Sequence, residues 1–274
     1  MSHEESASWV QREGSVAMTA SMFHSADAYD RLMGRYLPTL APAFADLARV
    51  EHGQRALDVG CGPGGLSTEL AERLGASHVT GVDPSPAFVA ACRERVPGAV
   101  VVEGVAEALP FADDAFDASL SSLVVGFMSD APRGVAEMAR VTRPGGAVAL
   151  NFWDIERMQA LGAFWRAAGR AIGAKPDDRA LLGSHEGDLA RLLEDAGLVD
   201  VRSTELNAVG QYTNADDLWS GYTAGIGLLG KYVAGLDPGQ LSAIREALVE
   251  DLPDPDAPFC LHATAWAAVG TVPA

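Results

Sequence analysis

The sequence predicts an α/β fold, a doubly wound parallel sheet flanked by helices and capped by a helical cover. Strand-like apolar runs alternate with helix-period segments over residues 51–152, which implies right-handed parallel crossovers. The run Leu57-Asp58-Val59-Gly60-Cys61-Gly62-Pro63-Gly64-Gly65 joins a buried strand to a helix through a glycine-rich turn. The 274 residues, 48% apolar and 21% charged, are enough for one full domain of this kind with a modest addition.

Taken in order, residues 1–22 are polar and small apart from Trp9 and predict a loose N-terminal arm. Residues 23–50 predict a cover helix. Tyr29, Met33, Tyr36, Leu40, Phe44 and Leu47 recur on one face, Ser25 or Asp27 can cap it, and Pro38 and Pro42 are expected to break it in two. In the core, a helix from about Leu66 to Leu74 follows the glycine turn, and a second strand, Val79 to Val82, ends in Asp83. Val100 to Glu103 is a third strand, Phe116-Asp117 opens a fourth, and Ala147 to Phe152 is a fifth.

Beyond Asp154 the alternation stops. Helices are predicted over 157–172 and 186–196, with a loop over 173–183 between them. A strand over 199–207 leads to one long helix over 215–234 and a short one over 240–250, and Phe259 to Val269 is the last strand. Segments 153–190 and 211–252, with the N-terminal helix, are expected to cover the C-terminal edge of the sheet, where open α/β sheets bind ligands. Segments 197–207 and 258–270 hold the final strands.

The charge excludes several partners. With 37 acidic and 20 basic residues the net charge is −17, and the longest basic cluster is Arg93-Glu94-Arg95. Nucleic acid needs a basic track and an anionic membrane needs a basic patch, so no nucleic acid and no membrane are expected as partners, and a small-molecule substrate is. No apolar run approaches the roughly 18 residues of a membrane span, and the acidic N-terminus lacks a signal peptide's basic and apolar parts. Cys61, Cys92 and Cys260 are too widely spaced for a disulfide framework or a zinc site, so a cytoplasmic location is expected. The six histidines have no metal-ligand spacing.

The glycine turn predicts a nucleotide-like cofactor, because glycines allow close backbone approach and the following helix points free N–H groups into the crevice. Gly60, Gly62 and Gly65 also satisfy the dinucleotide spacing G-x-G-x-x-G, so the cofactor's identity stays open on this run alone. Asp83, at a strand end, can accept hydrogen bonds from both hydroxyls of a ribose.

The ordered series sharpens this: Leu57 to Gly65, then Asp83, then Gly104-Val105-Ala106-Glu107-Ala108-Leu109-Pro110-Phe111, then Phe116-Asp117, then Arg143-Pro144-Gly145-Gly146. Over residues 29–154 it resembles the class I S-adenosylmethionine-dependent methyltransferases, in particular the branch with the ubiquinone and menaquinone methyltransferases. The resemblance implies a Rossmann-like seven-stranded sheet whose last strand is antiparallel. It also implies methyl transfer from S-adenosyl-L-methionine to an O, N, C or S nucleophile of a small organic molecule. Residue by residue, Asp58 would help to hold the methionine amino end, Gly60 and Gly62 would lie against the methionine and ribose, and Asp83 would bind the ribose. Ala106 and Glu107 would face the adenine, Ser122 and Leu123 would flank the cofactor, and Tyr29 would close over its methionine end.

Two positions depart from the pattern. Val105 stands where relatives carry an Asp, and Gly126-Phe127 where they often carry histidines, so that loop supplies no imidazole. His24 and His185 remain as candidate bases. An NAD-dependent oxidoreductase would account for the glycines and Asp83 but not for residues 106–111 or 143–146. A cofactor-binding module without methyl transfer is the other alternative.

Overall fold

The computed structural model describes residues 25–176 and 181–274. Seven strands form one sheet: β1 (Ala56–Val59), β2 (Val79–Asp83), β3 (Val100–Glu103), β4 (Phe116–Ser122), β5 (Thr142–Trp153), β6 (Val199–Tyr212) and β7 (Phe259–Thr271). Their order is β3-β2-β1-β4-β5-β7-β6. The first five run parallel, and β7 inserts antiparallel between β5 and β6, as the resemblance implied. The order reverses at β1, so the crevice outside its C-terminal end is a topological switch point.

Ten helices lie among the described residues: α1 (Ala26–Leu32), α2 (Leu37–Leu47), α3 (Gly65–Leu74), α4 (Pro86–Arg95), α5 (Ala131–Val141), α6 (Gln159–Ile172), α7 (Asp188–Asp195), α8 (Ala215–Tyr222), α9 (Gly227–Ala234) and α10 (Pro238–Glu250). Local chemistry starts several of them. Ser25 accepts the Ala28 N–H, Ser85 and Asp130 cap helices that open on proline, and Asp237 forms a capping box with Gln240. On one face of the sheet, α2, α3, α6 and α10 bury Phe44, Leu70, Phe164 and Leu248 over Ala118, Ala149, Ala263, Ala265 and Ala267. On the other, α5 and α7 bury Met138 and Leu193 over Leu57, Val82, Val148 and Leu150. The aromatic stripes are core on the first face: Tyr36 meets Trp153 edge-on at 5.5 Å, and Phe164 meets Tyr222 at 5.2 Å.

Several boundaries differ from the sequence expectation. The N-terminal helix does break in two, but at Met33–Tyr36 and not at its prolines. Pro38 falls in the first turn of α2, where no N–H is needed, and Pro42 is accommodated inside for one lost helix bond. The predicted helix over 215–234 is two helices, because the backbone at Gly225 and Gly227 turns left-handed (φ +80° and +65°). Strand β6 runs on to Tyr212, five residues past the predicted end. Gly210 lies there under the Tyr36 ring, where a Cβ would come within 2.7 Å. His262 is exposed on β7.

Of the segments expected over the C-terminal edge, α1 and α2 reach the glycine turn, and α6 and α10 pack on each other, with α6 on the face of β7. The N-terminal piece is tied down by ion pairs from Arg35 to Asp217 (3.0 Å) and from Asp30 to Arg95 of α4 (2.5 Å).

Candidate functional site

The ends of β1 and β2 build a cavity of about 710 Å³ lined by Tyr29, Leu37, Asp58, Gly60 to Pro63, Asp83 to Ser85, Phe88 and Ser122 to Val124, with Phe127 at its far side. A second, contiguous hollow runs past Pro84 along Gly104 to Glu107 and Val124, as far as Phe127 to Ser129. Gly60 sits where both meet. Its φ of +73° and the Val124 side chain, 2.4 Å from where a Cβ would stand, leave room for glycine alone. The turn is pinned to β2, because the N–H groups of Gly60 and Cys61 both donate to the Val82 carbonyl (2.8 and 3.0 Å).

Two buried carboxylates line this cavity. Asp58, 1% exposed, accepts the Ser67 hydroxyl at 2.6 Å. Burial pushes its carboxyl up from 3.8 to about 7. Ser67 pulls the other way, and the Asp83 charge adds to the rise. Asp83, 6% exposed, accepts the Gly62 N–H on one oxygen (2.9 Å) and the Ser85 N–H on the other (2.8 Å). Burial raises it to about 6 against those two bonds. A carboxylate has about four acceptor sites, so both oxygens keep capacity for a ligand. Tyr29 closes one wall, edge-on to Phe88 at 5.7 Å.

Strand β4 supplies the opposite wall. Leu123 has φ +64°, a strained conformation worth about 1–3 kcal/mol for a residue with a Cβ. Asn151 of β5 holds it there: its carbonyl accepts the Leu123 N–H (2.9 Å), and its side-chain amide exchanges hydrogen bonds with Ser122 Oγ (3.1 and 3.2 Å). Sequence reasoning missed Asn151, although an amide inside the apolar run Ala147 to Phe152 was the signal. It also passed over Phe88 and Leu37 as lining residues.

The other sequence candidates fall as follows. Ala106 lines the second hollow. Glu107 does too, but its Oε1 already accepts the Ser129 N–H (2.7 Å), the Ser129 hydroxyl (2.8 Å) and the Asp130 N–H (3.1 Å), so it braces the entry to α5. His185 is outside the cavity, its side chain 61% exposed beside Ser184 and Asp188 at the start of α7. His24 lies outside the described residues. Among the described residues no group of His, Cys, Asp or Glu is arranged to hold a metal, and no helix is long and apolar enough to cross a membrane.

The departure at Gly126 has a steric cause. A Cβ there would stand 2.6 Å from Phe152 Cζ and 3.1 Å from the Leu182 carbonyl oxygen. Gly126→His is therefore expected to destabilise the fold by about 2 kcal/mol or more, read as a lowered Tm, rather than to create a base.

Residues 57–150 match the family model for the methyltransferase domain. Residues 57–150 are thus similar to a methyltransferase domain. Over 114 residues it is 38% identical to a malonyl-acyl-carrier-protein O-methyltransferase of Serratia marcescens, covering 42% of this chain and 44% of the relative. Over 161 residues it is 36% identical to an uncharacterized methyltransferase of Mycobacterium tuberculosis, covering 58% and 62%. The chain thus spans about half the length of the curated relatives it matches. The fold is shared with the YcgJ protein of Bacillus subtilis (19% identical, TM-score 0.55, covering 85% of this chain and 98% of that one). It is shared also with the (4+2) cyclase SpnF (20% identical, TM-score 0.53, covering 86% and 81%). The matched segment runs from Leu57 through Asp83 and Glu107 to Leu150, and so contains most of the cavity lining.

Proposed function

We propose that this chain transfers a methyl group from S-adenosyl-L-methionine to a nucleophile of a small organic molecule in the cytoplasm. The observation that carries this is the pair Asp58 and Asp83, buried in one cavity around a glycine cradle that a Cβ would fill. The fit to the cofactor is chemical. Asp83 has acceptor capacity for the ribose hydroxyls, Asp58 offers a carboxylate to the methionine ammonium, and the turn presents bare backbone at Gly60, closed to a side chain by Val124, and at Gly62, where φ is +54°. The hollow along Ala106 suits an adenine, with the Ala106 N–H and Glu107 as its polar edge and Val105 and Phe127 as apolar walls.

Bound there, S-adenosylmethionine supplies an activated methyl on a sulfonium. The protein's own part is to hold and to dry. Ser122 and Leu123 flank the reacting end, set by Asn151, and Tyr29, Leu37 and Phe127 exclude water from it. No imidazole or ammonium lines the cavity among the described residues. The acceptor in this reading therefore brings its own nucleophile, as a phenol, an amine or a carbon acid does. The acidic surface supports a small-molecule partner over nucleic acid.

Calorimetric titration with S-adenosylmethionine and its demethylated product, with NADH as control, tests the cofactor. Micromolar binding of the first two and refusal of the third is expected; the reverse pattern sinks the reading. The fold alone does not dictate methyl transfer, as the cyclase shows, so turnover across phenols, amines and carbon acids is the second half of the test. Val105→Asp, which restores the polar group that relatives carry beside the adenine, is expected to tighten cofactor binding by about 1 kcal/mol, roughly fivefold.

A further inference from the structure

The hollow along Ala106 is built on a loop, between β3 and β4, that helix α5 fastens. Gly134 lets the two come close: a Cβ there would stand 3.3 Å from the Ala106 Cβ and 2.8 Å from Met128 Sδ. From Asp130, the cap of α5, polar residues recur at Arg133, Glu137 and Arg140, three or four apart and so on one stripe of the helix. Arg133 Nε donates to the Glu107 carbonyl (2.7 Å), and Glu137 Oε2 accepts the Leu109 N–H (3.0 Å).

Arg140 does most of the fastening, with all five of its N–H donors engaged. Nε and Nη2 donate to the two Glu137 oxygens (both 2.8 Å), and Nη2 also donates to the Leu109 carbonyl (3.2 Å). Nη1 donates to the Phe111 carbonyl (2.9 Å) and to Asp113 (2.6 Å). The Arg140 backbone carbonyl accepts the Asp114 N–H (3.1 Å), where the chain turns left-handed at φ +57°. Residues 109–114 therefore wrap one guanidinium. Its hydrogen bonds hold the Glu137 carboxyl below the ordinary carboxylate range, so the pair stays ionised. Neither Glu137 nor Arg140 lines either hollow.

We propose that Glu137 and Arg140 are positioning residues that hold the Ala106 N–H and the Glu107 carboxylate at the edge of the bound base, so that adenine is selected from α5 by side chains that touch no ligand. This rests on the cofactor reading above. Adenine shows a ring nitrogen that accepts and an amino group that donates; hypoxanthine reverses both, with a ring N–H and a carbonyl. An N–H followed by a carboxylate matches the first and opposes the second, provided that their spacing is fixed. With Val105 apolar, Glu107 is the only polar side chain between Gly104 and Phe111. Ser129 and Asp130 occupy its Oε1, which leaves Oε2 without a partner among the described residues and open to the base.

Calorimetric titration of the full chain with S-adenosylhomocysteine and with S-inosylhomocysteine, its hypoxanthine analogue, tests this. Wild type is expected to favour the adenine compound by at least about tenfold. Arg140→Lys keeps the charge and the apolar stem, but its donors sit on one nitrogen and cannot fork. It is expected to bind the adenine compound about tenfold more weakly and the hypoxanthine compound within about twofold of wild type. Glu137→Gln, whose carbonyl oxygen still accepts the Leu109 N–H, is expected to move the ratio the same way by about threefold. It decides the matter alone if Arg140→Lys does not fold. A merely structural pair would lower the Tm and leave the ratio of the two affinities as it was. An unchanged ratio in the variants overturns the proposal, and so does a wild type without preference. A wild type that refuses both compounds is the separate failure of the cofactor reading, and the proposal falls with it.

Discussion

Asp83→Ala is expected to weaken S-adenosylmethionine binding by more than a hundredfold. Hydrogen bonds from a ligand to a charged acceptor contribute about 1.5–3 kcal/mol each, and the ribose offers two, so a loss of at least about 3 kcal/mol follows. The substitution does more than remove acceptors. It leaves the Gly62 and Ser85 N–H groups without the carboxylate that joins the glycine turn to the start of α4. Asp83→Asn keeps one acceptor oxygen and should fall between, at about tenfold. Calorimetry on the three proteins gives the order wild type, Asn, Ala. An Asp83→Ala chain that binds as tightly as wild type would mean that Asp83 only ties down the turn.

The second large effect is on pH dependence. Asp58 titrates near 7 and Asp83 near 6 in the ligand-free fold, both held up by burial, against 3.8 unfolded. The sign follows from linkage. Below about pH 3 both are protonated in either state and cost nothing. From about pH 4 up to the folded values near 6 and 7 the unfolded chain has lost these protons while the fold still holds them, so stability falls across that window. The full penalty, reached above pH 7, is about 4 kcal/mol for Asp58 and about 3 for Asp83.

An ammonium placed against Asp58 reverses the preference, since it favours the carboxylate. Binding then expels a proton, and affinity should rise roughly eightfold from pH 6 to 7.5 for a group near 7. Asp58→Asn should abolish that pH dependence, weaken binding at least tenfold, and raise the Tm of the ligand-free protein at pH 8. A site residue whose neutral substitute stabilises the empty fold is one retained at a cost in stability. An affinity flat in pH for wild type, or a lowered Tm for Asp58→Asn, would count against this account.

What the sequence determined by itself was the half of the protein whose code is local. The glycine run had to turn sharply after a buried strand, because only glycine adopts that backbone. Asp83 had to stand at a strand end, because Val79 to Val82 is an apolar run closed by a carboxylate and then Pro84. Short parallel strands spaced by helices leave few topologies, so the doubly wound sheet was legible before any coordinate. Tyr29, Asp58, Gly60, Gly62, Asp83, Ser122 and Leu123 accordingly line one cavity.

Tertiary structure decided the rest, wherever the determining neighbour is distant in the chain. Gly210 stays in a strand because Tyr36 lies over it, while Pro42 stays in a helix that its own chemistry argues against. Glu107 is held by Ser129 and Asp130, which no local pattern shows. His185 turns to Asp188 at the start of α7, away from the cavity. Asn151 props the strained Leu123 from the next strand. Backbone preferences act within a few residues. Hydrogen-bond partners and close packing are fixed only when the strands and helices are brought together.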